Sequence, residues 1–231
     1  ETTLFDTGNL KGCDVASWDG YAMSADESKI LLWTESKPIY RHSFSANYYV
    51  YDVKSGKIAK LTNQGGEEIA TLSPDSKKVA YVLNNNIYIK NLETGATTTV
   101  TTDGVKNKVI NGVPDWVYQE EFGIINSLKW SPNGGTLSFI RFDESEVPMF
   151  RFPWYKGMAP ERSEYQTYPG FYEYKYPKAG EVNSKVSVHT FDIKTRVTRK
   201  MDLPLDADGY IPRIKFTSDP EKLAIMTLNR H

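Results

Sequence analysis

An imperfect internal repeat runs through this sequence and limits the folds open to it. Tyr21-Ala-Met-Ser-Ala-Asp26 is followed by Lys29-Ile-Leu-Leu-Trp-Thr34, and Ala70-Thr-Leu-Ser-Pro-Asp75 by Lys78-Val-Ala-Tyr-Val82. Leu128-Lys-Trp-Ser-Pro-Asn133 precedes Thr136-Leu-Ser-Phe-Ile140, and Ile214-Lys-Phe-Thr-Ser-Asp219 precedes Lys222-Leu-Ala-Ile-Met226. Each unit reads as strand, polar turn, strand. Pro presets φ in the turn and Asp or Asn caps it.

A second element alternates with the first: Tyr49-Val-Tyr-Asp-Val-Lys-Ser-Gly56, Ile87-Tyr-Ile-Lys-Asn-Leu-Glu-Thr-Gly95 and Val188-His-Thr-Phe-Asp-Ile-Lys-Thr195. These are strands that end in a tight turn before another strand. Two hairpin-like elements per unit make a four-stranded blade, the building block of a β-propeller. Equivalent turns lie 49 residues apart from Ser24 to Ser73, 58 from Ser73 to Ser131 and 86 from Ser131 to Thr217. A basic unit of about 50 residues falls in the propeller range. The fold class is therefore all-β, a partial β-propeller of about four four-stranded blades. Closure as a four-bladed ring is open, but the ragged ends favour an arc of a larger one. The excess in the third interval falls at residues 143–181, a stretch rich in Tyr, Pro, Phe and charge without clean periodicity. Read alone it is a long surface loop. Its apolar residues, among them Met149, Phe150, Phe152, Trp154, Phe171 and Tyr172, would be costly in water, so it is expected to pack on something.

Composition narrows the function classes. Aromatics make up 13% of 231 residues, which suits strands, and the net charge of −1 lacks the basic excess of a nucleic-acid binder. No apolar run reaches the length of a membrane span. The chain opens on Glu1 without Met or signal peptide and closes on His231 directly after a strand pattern, so it is expected to be cut from something longer. Cys13 has no partner for an internal disulfide and reads as a small apolar residue. No Gly-x-Ser-x-Gly elbow occurs. No His/Cys cluster suggests a metal, no Gly-rich loop suggests a nucleotide, and no cofactor is implied. The chain alone is not expected to catalyse, and His189 reads as structural.

Two candidates for binding remain. In Asp115-Trp-Val-Tyr-Gln-Glu-Glu-Phe122 the segment from Pro114 reads as a short helix that carries Glu120 and Glu121 about 100° apart. Adjacent like charges repel and favour a cation. The alternative is an ordinary solvated pair, the reading also given to Glu67–Glu68 after Gly65-Gly66. The second candidate is Arg41, in Tyr40-Arg-His-Ser-Phe44. It is either a surface loop residue or a planar fork that donates to a substrate carbonyl.

An ordered set of motifs resembles the N-terminal propeller of the dipeptidyl peptidase IV branch of the prolyl oligopeptidase family. The set is Arg41-His-Ser-Phe-Ser-Ala-Asn-Tyr, Leu72-Ser-Pro-Asp, Lys78-Val-Ala-Tyr-Val, Asn86-Ile-Tyr-Ile-Lys, Asn111-Gly-Val-Pro-Asp-Trp-Val-Tyr-Gln-Glu-Glu, Trp130-Ser-Pro-Asn-Gly, Glu146-Val-Pro and Tyr176-Pro-Lys-Ala-Gly-Glu-Val-Asn. The resemblance runs from about residue 20 to the end. It implies that residues 1–231 are part of an eight-bladed propeller. It also implies an α/β-hydrolase domain with the Ser-Asp-His triad beyond His231. The parent would be a serine dipeptidyl peptidase that releases Xaa-Pro or Xaa-Ala dipeptides from peptides with a free N-terminus. Glu120 and Glu121 would bind the α-amine and Arg41 the carbonyl between the first two substrate residues. Gln119 stands where the family often has a third acid. Residues 143–181 would be a blade extension that helps form a homodimer, and the location would be secreted, periplasmic or cell-surface. Two alternatives stay open: a noncatalytic binding module of the same family, and a tripeptidyl- or oligopeptidase-type relative.

Overall fold

The computed structural model describes residues 3, 5, 6, 10, 13–155 and 168–230. The repeat units become blades. The first holds β1 (Gly20–Met23), β2 (Lys29–Pro38), β3 (Phe44–Asp52) and β4 (Lys57–Lys60), all antiparallel in chain order. The second repeats the pattern with β5 (Glu67–Leu72), β6 (Lys78–Leu83), β7 (Asn86–Asn91) and β8 (Thr97–Thr99). The third unit opens with β9 (Val109–Asn111), a helix α1 (Trp116–Glu120) and β10 (Leu128–Trp130). It continues with β11 (Thr136–Asp143), then departs into β12 (Met149–Trp154) and β13 (Gly170–Lys175). It returns through β14 (Lys185–Asp192) and β15 (Thr198–Lys200). The blade proper is β10-β11-β14-β15, with β9 on the far half of β11. A final hairpin pairs β16 (Tyr210–Phe216) with β17 (Leu223–Leu228). The described residues thus form three full blades and the first strand pair of a fourth.

The Ser-x-Asp turns explain why the units recur. Ser24 Oγ donates to Asp26 and accepts from the Lys29 N–H. Ser73 does the same with Asp75 and Lys78, and Ser131 with Asn133 and Thr136. All three serines are buried, so the hydroxyl satisfies a backbone donor that water cannot reach. The turns also touch: Ser76 Oγ donates to Asp26 at 2.6 Å, linking the second blade to the first.

Period-2 alternation decides how the blades stack. On β6, Val79 and Tyr81 face the first blade, in a cluster with Leu31, Ala46, Tyr48 and Leu61. Ala80 and Val82 face the third, with Leu128, Leu137, Phe139 and Phe191. β2 divides similarly, Leu31 to one side and Ile30 and Leu32 to the other, where Cys13 packs half-buried. A strand covered on both faces is apolar at consecutive positions, which is why Lys29-Ile-Leu-Leu-Trp and Lys78-Val-Ala-Tyr-Val stood out. Each large apolar side chain so buried contributes about 1.5–3 kcal/mol. His189 lies on β14 with its ring stacked 5.3 Å from Phe139, a packing role.

Two expectations are corrected. Residues 149–154 and 170–175 are an antiparallel ribbon, with Phe150 opposite Tyr174 and Phe152 opposite Tyr172; a loop reading fails here. The part of that stretch at 156–167 lies outside the described residues. Glu67 is not on a solvated turn. It is fully buried, accepts from the Thr62 hydroxyl and the Tyr48 N–H, and sits where Ala46 pairs with β5. Burial also pushes the Glu68 carboxyl up to about 7.

Candidate functional site

β2 and β3 overshoot their blade. Between Thr34 and Lys37 the register shifts, and Glu35 takes φ +55°. A bulge of this kind bends a hairpin out of its sheet. The tip, residues 39–43, is closed by the Ile39 N–H donating to the Ser43 carbonyl and the Tyr40 N–H to Ser43 Oγ. Arg41 is at its outer end, with 72% of its side chain exposed.

The helix α1 is only five residues long, too short to persist alone. Tertiary contacts hold it. Asp115 is the N-cap and accepts from the Tyr118 N–H at 3.0 Å, while Ser184 Oγ donates to its other oxygen at 2.5 Å. Pro114 therefore lies one residue outside the helix, where a first-turn position had been expected. Tyr118 is buried among Phe142, Ile140 and Val188, and its hydroxyl oxygen accepts from the Ile211 N–H at 2.8 Å. The helix is pinned to the third blade and to β16 at once. The Gln119 amide donates back to the Pro114 carbonyl at 2.7 Å.

Helix and hairpin tip meet. The Arg41 N–H donates to Glu120 Oε1 at 3.1 Å, and Arg41 Nε lies 3.4 Å from Oε2. Only 12% of the Glu120 side chain is exposed. Glu121 is the C-cap, bonded through its backbone N–H to the Val117 carbonyl; its side chain points to solvent and has no ion pair among the described residues. The three residues chosen from sequence are thus two elements brought together, with one carboxylate braced and one open. Both carboxylates are acceptor-only groups that attract positive charge, and the guanidinium is largely exposed beside one of them.

Sequence reasoning missed what lies beside this pair. A cavity of about 160 Å³ is lined by Glu68, Asp115 and Glu144 together with Tyr40, Gln119 and Lys175. Burial, with the nearby Asp115, pushes the Glu144 carboxyl up to about 7. Burial likewise raises Asp115 against the hydrogen bonds from Ser184 and Tyr118. The ribbon contributes Lys175 to this lining, and its aromatic side packs on the hairpin tip and the helix. Tyr174 is 5.8 Å from the Tyr40 ring and 6.3 Å from Trp116, and Tyr176 is 4.3 Å from Trp116. Aromatics at 150, 152 and 154 and at 172, 174 and 176 alternate with other residues; that period of two was the signal for a one-faced ribbon.

A family model for the dipeptidyl peptidase IV (DPP IV) N-terminal region matches residues 24–231. The chain belongs to that family. Among solved structures, dipeptidyl peptidase 4 of Porphyromonas gingivalis is 46% identical, with a TM-score of 0.92 over 99% of this chain and 32% of its own. Dipeptidyl peptidase 4 of Sus scrofa is 36% identical over 225 residues, 93% of this chain and 28% of that protein. Its counterpart from Trichophyton rubrum is 37% identical over 193 residues, 81% of this chain and 24% of that protein. The chain therefore spans about a quarter of the curated relatives it matches, and the DPP IV propeller reading of its three blades stands. Among the described residues no helix is long and apolar enough to cross a membrane.

Proposed function

We propose that this chain is the substrate-anchoring propeller portion of a serine dipeptidyl peptidase. The parent would release Xaa-Pro or Xaa-Ala dipeptides from peptides with a free N-terminus. The observation that carries the reading is the joining of Arg41 to Glu120 across 79 residues, with the Glu121 carboxylate left open beside them. In this reading Glu120 and Glu121 take the protonated α-amine and Arg41 turns its exposed guanidinium to the next carbonyl. The anchors fix the distance from the N-terminus to the bond that a hydrolase domain would cut. Positioning of this kind converts binding energy into orientation.

Electrostatics gives the scale. Each carboxylate at 4 Å attracts the ammonium by about 4 kcal/mol at an effective dielectric of 20, before desolvation. The test is steady-state cleavage of an Xaa-Pro chromogenic amide by the full-length protein, with the N-acetylated twin alongside. Cleavage of the free-amine substrate alone supports the anchor. Equal cleavage of both returns the acids to solvated charges and favours an oligopeptidase-type relative, and cleavage of neither favours a noncatalytic binding module.

The same reading takes the full-length protein as a homodimer, secreted, periplasmic or cell-surface, with the ribbon as its arm. Met149 is 40% exposed and Phe171 50% on the ribbon's outer face. Sedimentation of the Met149→Lys/Phe171→Lys variant tests this: a monomer supports the arm, and an unchanged dimer contradicts it.

A further inference from the structure

Arg41 and Glu120 belong to different blades, and each is a short step from an aromatic ring. Tyr40 precedes Arg41 in the hairpin tip. Trp116 stands one helical turn before Glu120, so the two share a face of α1. One side chain of the ribbon lies against both rings: Tyr174, at 5.8 Å from Tyr40 and 6.3 Å from Trp116. These separations suit edge and offset aromatic packing. The ribbon adds two more holds. Tyr172 Oη donates to the Ile39 carbonyl at 3.4 Å, and Tyr176 sits edge-on to Trp116 at 4.3 Å. Tyr174 is itself held in place, with Tyr172 at 5.4 Å and Phe150 at 6.5 Å.

We propose that Tyr174 is a positioning residue for the amine anchor: its ring sets the spacing between the hairpin tip that carries Arg41 and the helix face that carries Glu120. The proposal rests on the anchoring role given above and extends it to a residue that touches no substrate. The packing supports it. Arg41 is mostly exposed, and an exposed ion pair alone fixes little. α1 is pinned to its own blade through Asp115 and Tyr118, and those bonds do not set its spacing to the hairpin tip. Rings that pack on both sides of the pair supply what the pair lacks. A displacement of about 1 Å at such a clamp is enough to cost one to two orders of magnitude in kcat/KM for a positioned substrate.

The test uses the full-length protein and a free-amine Xaa-Pro amide. Tyr174→Leu is expected to raise KM about tenfold at pH 7 with kcat within about twofold. It is also expected to flatten the rise of KM between pH 7 and pH 9, where an α-amine of pKa about 8 loses its proton. Tyr174→Phe keeps the ring and is expected to restore both. Tyr176→Leu, which removes a ring that packs on Trp116, Phe150 and Tyr174 and leaves the contact between Tyr174 and Tyr40, gives the same pattern in weaker form should Tyr174→Leu fold poorly. A Tyr174→Leu protein with unchanged KM, or with raised KM and the full pH response, overturns the proposal. Glu120→Gln separates the two ideas. If it flattens the pH response while Tyr174→Leu and Tyr176→Leu do not, positioning by the ribbon fails and the anchor stands. If Glu120→Gln leaves the response intact, the anchor fails and takes this proposal with it.

Discussion

Arg41 holds Glu120 twice, through its backbone N–H at 3.1 Å and its side-chain Nε at 3.4 Å from the second carboxylate oxygen. Glu121, the next residue, has neither contact. The adjacent acids are therefore different in kind. One is oriented by the protein, and the other is a free charge at the end of a helical turn. A cation entering between them would meet a fixed partner first and recruit a mobile one.

This asymmetry has a measurable consequence. Glu121→Gln is expected to lower kcat/KM for free-amine substrates of the full-length protein by about 10- to 100-fold, the worth of a charged hydrogen bond of roughly 1.5–3 kcal/mol. Its thermal stability should be unchanged within about 0.5 kcal/mol, as for other surface substitutions. Glu120→Gln is expected to lose at least as much activity. It should also loosen the hairpin tip, seen as faster amide hydrogen exchange at Arg41.

Tyr118 makes a separate and larger contribution to stability. Its hydroxyl is the acceptor for the Ile211 N–H, and Ile211 is fully buried. Tyr118→Phe leaves that donor unsatisfied and is expected to cost about 1–3 kcal/mol in denaturant unfolding of the full-length protein. Because the bond ties α1 to β16, KM should rise as well.

Glu144 makes stability depend on pH. Its carboxyl is raised from an ordinary 4.5 to about 7 by burial and by Asp115, with Lys175 opposing and Asp143 adding. Between those two values the unfolded chain has released the proton and the folded protein still holds it. Stability therefore falls as pH rises from about 4.5 to about 7. Glu144→Gln removes the titration. The variant is expected to gain up to about 3 kcal/mol over the parent at pH 8, and nothing near pH 4.5, in urea unfolding. A gain that is the same at both pH values would contradict the assignment.

The strand-end turns offer a gain in stability. Gly56 and Gly95 take φ +68° and +75° after Asp52 and Asn91, and the third copy places Arg196 at φ +59° after Asp192. A side chain in the left-handed region costs roughly 1–2 kcal/mol, part of which glycine gives back as unfolded-state entropy. Arg196→Gly is expected to stabilise by about 0.5–1 kcal/mol in the same unfolding assay.

How far the sequence reached depends on the range of each interaction. The Ser24, Ser73 and Ser131 turns bond within five residues, so their pattern is local and was readable. The doubly apolar strands were readable too, because stacking on both faces marks every position. The short helix is readable from Pro114 and Asp115, but it starts two residues after Pro114, at Trp116, with Asp115 as its N-cap. Glu67 misled because its burial depends on Thr62 and Tyr48, which the chain brings back over it. The same holds for Glu144 and Tyr174. Their significance comes from Asp115, Tyr40 and Trp116, residues on other elements, and no pattern local to residues 144 or 174 announces it.

Whether a pair of carboxylates reads a positive charge on the substrate's N-terminus is decided with an Xaa-Pro amide and its twin in which the α-amine is replaced by a hydroxyl of similar size. Both would be assayed with the full-length protein and with its Glu120→Gln/Glu121→Gln variant. The parent is expected to prefer the amine by at least about 100-fold in kcat/KM, and the double variant to lose most of that preference. An equal preference in parent and variant would contradict it.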